Sequence, residues 1–254
     1  MELRFSKGTE TGTFPLGAST YDTIKRAMRQ EDVATRNGTL IVGIVGELRD
    51  PSGKVVGSAR AGKDCAAQYI LDNFTPTLRI KRVALADALK CEVYDWLRTY
   101  CFHINRGTHG FPIFNPITIP DHHQNIPTPD KIAWINENKN ELRHFLQLHG
   151  TEFRRSEDPR YWTDRLLEEV DRLGAQVVLV PDVRFLNETD ICHATIKVIR
   201  PVPAADPTIS QHVSETELAG HVATFDIVND GDLAQLERRS CEVFEKLLER
   251  FHVN

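Results

Sequence analysis

Apolar residues along this chain follow two spacings that alternate from end to end. Short, nearly continuous runs lie at Thr39–Val45, Gln176–Val180, Ala194–Ile199 and Phe225–Val228, with a weaker strand-like stretch at Leu78–Ala84. Runs of this kind read as strands buried on both faces of a parallel sheet. Between them, apolar residues recur at helical spacing. Asp64 to Asn73 is one such segment, and Asp87 to Phe102 is another, with a stripe at Leu89, Val93, Trp96, Leu97 and Tyr100. Thr128-Pro129-Asp130 opens a helix predicted to run to about His149 and to stop at Gly150. Asp158-Pro159 opens the next, ending near Gly174, and Asp232 to Phe251 carries Leu233, Leu236, Val243, Phe244, Leu247 and Leu248 on one face. Strands alternating with helices predict an α/β fold around a doubly wound, mainly parallel sheet.

Two stretches stand outside this alternation. Residues 1–38 are polar with one helix-like piece, Thr20 to Gln30, and suit an arm, a dimer element or a leader. Residues 103–127 carry Gly107, Gly110, Pro112, Pro116, Pro120 and Pro127 among aromatics and histidines, a length usually reserved for function or disorder. Such a segment would serve as a mobile wall over a substrate. The chain's 254 residues, 41% of them hydrophobic, suffice for one large domain, or one domain with an inserted substrate-binding part. A net charge of −5 argues against a dedicated partner of polymeric nucleic acid. Cys65, Cys91, Cys101, Cys192 and Cys241 form no Cys-x-x-Cys pair, which suggests free thiols in a reducing cytosol. No apolar run approaches the ~20 residues of a membrane span, and the first residues lack a signal-peptide core.

The strongest chemical signal is Gly57-Ser58-Ala59-Arg60-Ala61-Gly62-Lys63-Asp64-Cys65, set between a strand-like and a helix-like segment. Glycines let the backbone curl so that its N–H groups converge on phosphate oxygens, and the following helix N-terminus favours negative charge. Lys63 would reach the β- and γ-phosphates of a nucleotide. Asp64 stands where a Ser or Thr is usual and is a candidate Mg²⁺ ligand, directly or through water. The strand leading into the loop is either Thr39–Val45, with an insertion after it, or the shorter Lys54–Val56. Asp50-Pro51-Ser52-Gly53 has turn chemistry, so the two runs can also form a hairpin.

Further segments narrow the reading. They are Ala86-Asp87-Ala88-Leu89-Lys90, Leu146-Gln147-Leu148-His149-Gly150-Thr151-Glu152, Asp182-Val183-Arg184-Phe185-Leu186-Asn187-Glu188, His212-Val213-Ser214-Glu215, and Asn229-Asp230-Gly231. With the Gly-Lys-Asp loop, and in this order, they resemble the phage deoxynucleoside monophosphate kinases over about residues 40–250. The resemblance implies a P-loop NTPase-type three-layer fold over residues 39–254, with a helical substrate-binding insertion at about 98–175. It also implies transfer of the ATP γ-phosphoryl group to a deoxynucleoside 5′-monophosphate, Mg²⁺ dependence and often a homodimer. Cys65 departs from it, since relatives commonly have Thr there.

The residue chemistry agrees, because phosphoryl transfer needs charge neutralisation and alignment more than covalent help. Arg154, Arg155 and Arg184 are forked donors suited to the acceptor phosphate or the transferring group. Arg184 and Asp182 follow a strand's C-terminal end, where ligands gather in open α/β sheets. Asp182 would orient Mg²⁺ or its water, pair with Arg184, or cap a turn. Lys90 is an acceptor-phosphate candidate, or an exposed helix lysine. Gln147 and Glu152 suit hydrogen bonding to a base or ribose, and Trp162 and Phe153 suit stacking on a base, or are core. His122-His123 lacks a third ligand at metal spacing. Two rival readings stand beside this one. The first is a P-loop kinase acting on a modified or hydroxymethylated nucleotide or DNA base. The second is a nucleotide-binding protein without catalysis.

Overall fold

In the computed structural model the apolar runs lie side by side. The structure describes residues 2–7, 10–15, 38–104, 127–203 and 217–253. The helix-like piece at Thr20–Gln30, most of the Pro/Gly-rich segment with His122 and His123, and His212, Ser214 and Glu215 fall outside the described residues.

The elements in chain order are β1 (Glu2–Lys7), β2 (Glu10–Pro15), β3 (Leu40–Arg49), β4 (Val55–Gly57), α1 (Lys63–Phe74), β5 (Ile80–Arg82), α2 (Leu85–Ile104), α3 (Thr128–Glu137), α4 (Lys139–Gln147), a π-helical turn (Leu148–Arg154), α5 (Arg155–Glu157), α6 (Tyr161–Leu173), β6 (Val177–Val180), α7 (Leu186–Thr189), β7 (Ala194–Pro201), β8 (Phe225–Val228) and α8 (Leu233–Arg250). β1 and β2 form an antiparallel hairpin, from Glu2 opposite Pro15 to Lys7 opposite Glu10. The polar leader gave no apolar run by which to read those strands.

The main sheet has six strands in the order β5-β6-β3-β7-β8, with β4 on β3. Every neighbouring pair along that order is parallel, and only β4 runs antiparallel. Alternate residues of the strands enter opposite faces. Leu40, Val42, Ile44, Val177, Leu179, Ile196 and Val198 pack with Ala66, Ala67 and Ile70 of α1 and Leu236, Phe244 and Leu247 of α8. Ile41, Val45, Val178 and Val180 pack on the other side with Leu85 of α2 and Trp162, Leu166 and Val170 of α6. The result is three layers, helix–sheet–helix. A third apolar cluster joins α2 to α3 and α4 through Val93, Tyr94, Leu97, Ile135 and Leu142.

Two boundaries differ from the sequence reading. The insertion expected at about 98–175 starts inside α2, and its last helix, α6, packs on the sheet as part of the outer layer. The single helix expected from Thr128 to His149 breaks at Asn138, whose side-chain amide returns to the Trp134 carbonyl at 2.8 Å. Gly150 does not end the helix. It lies buried in the π-helical turn, where a Cβ would come within 2.9 Å of Leu89 on α2. The glycine is there for close approach between helices, a demand that resembles a stop signal in sequence.

Candidate active site

β3 is the central strand, and it outruns its neighbour. β6 ends opposite Gly43, while β3 continues to Arg49 against β7. Beyond the end of β6, β4 takes the vacated place beside β3, with Gly57 opposite Leu48. Both candidate first strands therefore exist, as the arms of one hairpin. Asp50 builds the turn: its Oδ1 accepts the amides of Ser52 at 2.9 Å and Lys54 at 3.0 Å, and Gly53 takes a φ of 83°. The hairpin returns the chain onto Gly46. A Cβ there would lie 2.4 Å from the Ser58 carbonyl oxygen, so only glycine lets the loop close against the strand.

The loop from Gly57 to Gly62 is braced from outside. Arg200 donates to the Arg60 carbonyl at 3.1 Å and the Asn229 side-chain amide to the Ala61 carbonyl at 2.8 Å. Arg60 and Gly62 take positive φ, 63° and 103°. Gly62 caps α1, with the Ala66 amide returning to its carbonyl at 3.0 Å. Lys63, first residue of the helix, is 6% exposed. Asp64 is exposed and pairs with Arg82 at 3.2 Å, and Cys65 is exposed beside it. Asn229 and Arg200 were not assigned roles from sequence. Only the parallel register of β7 and β8 brings their ends to the loop.

The segment after β6 does more structural work than its sequence indicated. Asp182 accepts the amides of Leu85 at 2.9 Å and Ala86 at 2.8 Å, one on each carboxylate oxygen, and so holds the start of α2 to the end of β6. Arg184 is half-buried and lines a narrow recess with Gly46, Glu47, Gly57, Ser58 and Val183. Glu188, 1% exposed, turns back to accept the amides of Arg184 at 2.7 Å and Phe185 at 3.1 Å. Its other oxygen accepts from Arg155, whose guanidinium lies 4.0 Å from the centre of the Phe185 ring. Burial pushes the Glu188 carboxyl above its usual range, opposed by Arg155 and the Arg184 amide.

On the helical side a second carboxylate gathers side chains. Glu92 of α2 accepts from Arg154 Nε at 2.6 Å, from the Tyr161 hydroxyl at 2.9 Å, and lies 3.2 Å from His149 Nε2. Burial alone would raise the Glu92 carboxyl, but these hydrogen bonds and the Arg154 charge outweigh it and hold the group below its usual value. The π-helical turn presents Phe153 to solvent at 47% exposure. Gln147 is half-buried and Glu152 exposed near the same turn. Such turns recur at functional sites. Trp162, a candidate for stacking on a base, lies in the core at 3% exposure, with its indole N–H donating to the Gly150 carbonyl at 2.9 Å. A ring sealed between α6 and the sheet is a structural prop.

The two sides meet through charge. Lys139 opens α4 and is exposed overall, yet its ammonium is held below the usual lysine value, first by desolvation and then by the like charges of Lys90, Arg184 and Arg143, with Asp64 opposing. Lys90 itself pairs with Asp87 at 3.1 Å. Lys90 of α2, Arg143 of α4, Arg184 after β6 and the loop's Asp64 thus each stand within electrostatic reach of Lys139. Lys139 and Arg143 carry no motif. Their spacing of four on one helix was the only available signal, and it is common on solvated faces. Of the sequence candidates, Lys90, Arg184 and Asp64 act on the charge of Lys139, and Lys63 precedes Asp64 at the start of α1. Arg154 and Arg155 are instead engaged by Glu92 and Glu188.

Among the described residues no group of three or more His, Cys, Asp or Glu is placed to hold a metal ion by itself, and no helix is long and apolar enough to cross a membrane. No protein-family model matches the chain, and no curated protein matches it.

Proposed function

We propose that this protein is a nucleoside monophosphate kinase that transfers the ATP γ-phosphoryl group to a deoxynucleoside 5′-monophosphate. The observation that carries this reading is the recess that Arg184 lines together with Gly57 and Ser58, where two features adjoin. One is a braced glycine loop that opens α1 on buried Lys63. The other is the group of cations, Arg184, Lys90, Lys139 and Arg143, near Asp64. The loop amides and Lys63 hold the β- and γ-phosphates of ATP. The grouped cations take the acceptor's phosphate. A bond forms between the γ-phosphorus and an acceptor phosphate oxygen, and the bond to the β–γ bridging oxygen breaks. The attacking oxygen is already anionic, so the site needs no general base. It needs cations that bring two polyanions together and spread charge in the transition state.

Magnesium fits this donor set. The ion usually takes one or two carboxylates together with phosphate oxygens and water, and exposed Asp64 beside the loop would be its protein ligand, supplying charge neutralisation at the phosphates. Asp182 fits less well, because its oxygens are engaged by the Leu85 and Ala86 amides. It acts as a positioning residue that ties the acceptor helix α2 to the sheet.

The test is a screen of all deoxy- and ribonucleoside monophosphates with ATP and Mg²⁺, read as diphosphate formed, beside duplex and single-stranded DNA as acceptors. Diphosphate from one or more free deoxynucleotides is expected. Transfer to DNA alone would assign the protein to the kinases of modified bases. ATP binding without transfer to any acceptor would make it a nucleotide-binding protein.

A further inference from the structure

Arg155 and Glu188 belong to motifs read from the sequence, and their side chains are paired with each other. Their hydrogen bonds end on the backbone that carries Arg184. Glu188 is 1% exposed, and its two oxygens are divided. One takes the Arg155 guanidinium and the other takes the amides of Arg184 and Phe185 at 2.7 and 3.1 Å. Arg155 is held in turn over the Phe185 ring at 4.0 Å. Phe185 itself is 9% exposed and so is fixed by packing. The chain here has just left β6 and has no sheet partner. Without the carboxylate, both amides would lose this acceptor, the buried Phe185 amide at the greater cost, and the segment would be less firmly held.

We propose that Arg155 and Glu188 form a positioning relay that fixes the main chain at Arg184 and thereby aims its guanidinium at the acceptor phosphate. This rests on the kinase reading for the identity of the acceptor, but not for the relay itself. Arg155 belongs to the turn after the π-helix, and Glu188 to the segment after β6. The relay therefore couples the helical side to the sheet at the point where the recess beside Gly57 and Ser58 is lined by Arg184. It also gives a role to the glutamate three residues beyond Phe185, a spacing from which the side chain reaches back to the amide at the helix start.

The full-length protein and its Glu188→Gln, Arg155→Ala and Arg155→Lys variants test this, each checked by thermal melting. Hydrogen exchange at the Arg184 and Phe185 amides gives a reading independent of activity. Glu188→Gln is expected to speed exchange there selectively. It is also expected to lower kcat/KM for the monophosphate about 10- to 100-fold, the scale of a small misplacement of a reacting group, while the Kd for ATP stays within about threefold. Arg155→Ala should behave alike, and Arg155→Lys, which keeps the charge on Glu188, should restore most of the monophosphate terms. Unchanged exchange at the two amides, or a parallel loss of ATP affinity, overturns the relay. A wild-type protein that transfers phosphate to no acceptor defeats the kinase reading instead. The relay then stands or falls on the amides alone: selective loss of protection supports it and unchanged protection overturns it.

Discussion

The glycine loop and the helical, cation-bearing side of the molecule are built by different means. The loop is fixed through its backbone: Gly46 admits it against β3, Gly62 turns it into α1, and Arg200 and Asn229 hold its carbonyls from neighbouring strand ends. The helical side is fixed through side chains. Glu92 gathers Arg154, Tyr161 and His149, and Glu188 gathers Arg155 with two amides. A phosphate bound by amides requires the chain to adopt one path. A phosphate bound by guanidinium and ammonium groups requires like charges such as Lys90, Lys139, Arg143 and Arg184 to be held together, and a carboxylate near them, Asp64, lowers that cost. The first design depends on glycines and register, and the second on electrostatic balance.

The difference can be broken most severely at the loop's own charge. Lys63→Ala should reduce phosphoryl transfer about 100- to 1000-fold or more, since a charge aimed at the transferring group is lost; diphosphate formation by the folded variant is the measurement, and near-normal turnover would remove Lys63 from the mechanism. Arg184→Lys probes the other side. It keeps the charge and removes the fork, so kcat/KM for the monophosphate should fall by roughly 2–4 kcal/mol while ATP binding by calorimetry holds. Weakened ATP binding with intact monophosphate terms would move Arg184 to the donor side.

Backbone dependence is tested at Gly46. Gly46→Ala places a methyl 2.4 Å from the Ser58 carbonyl oxygen. The strain should cost about 1–3 kcal/mol of stability and should weaken ATP binding more than monophosphate binding. Loss of both in equal measure would mean that the two sides are not separately built. Asn229→Ala removes a single brace from the Ala61 carbonyl. It should cost about 1 kcal/mol, seen as a modest rise in the Kd for ATP.

The smallest effect is expected under β3. His193 Nδ1 accepts the Ile41 amide at 2.8 Å, and its buried Nε2 has no hydrogen-bond partner, so the ring is held neutral. Desolvation lowers its pKa from the ordinary 6.5. The unfolded chain therefore binds the proton first on acidification. Stability is complete above pH 6.5 and falls as the pH drops from there through the lowered folded value. His193→Asn, which keeps an acceptor for the Ile41 amide, should flatten this part of the melting temperature's pH profile. An unchanged profile would acquit His193.

The sequence by itself determined much of the framework. Gln176–Val180, Ala194–Ile199 and Phe225–Val228 were legible as strands because burial on both faces leaves a continuous apolar run. The helix from Asp232 was legible because burial on one face leaves a stripe. The loop at Gly57–Lys63 was legible because its backbone path restricts residue type at fixed spacing. Tertiary structure alone decided the rest. Asn229 and Arg200 reach the loop only because β8 and β7 lie in parallel register beyond β3. Gly46 is essential only because a hairpin folds Ser58 onto it. Lys139 and Arg143 join Lys90 and Arg184 only through the packing of α4 on α2. Trp162 could not be told from a stacking residue until α6 was placed on the sheet. Each of these depends on contacts between residues far apart in the chain, and local spacing carries no record of such distances.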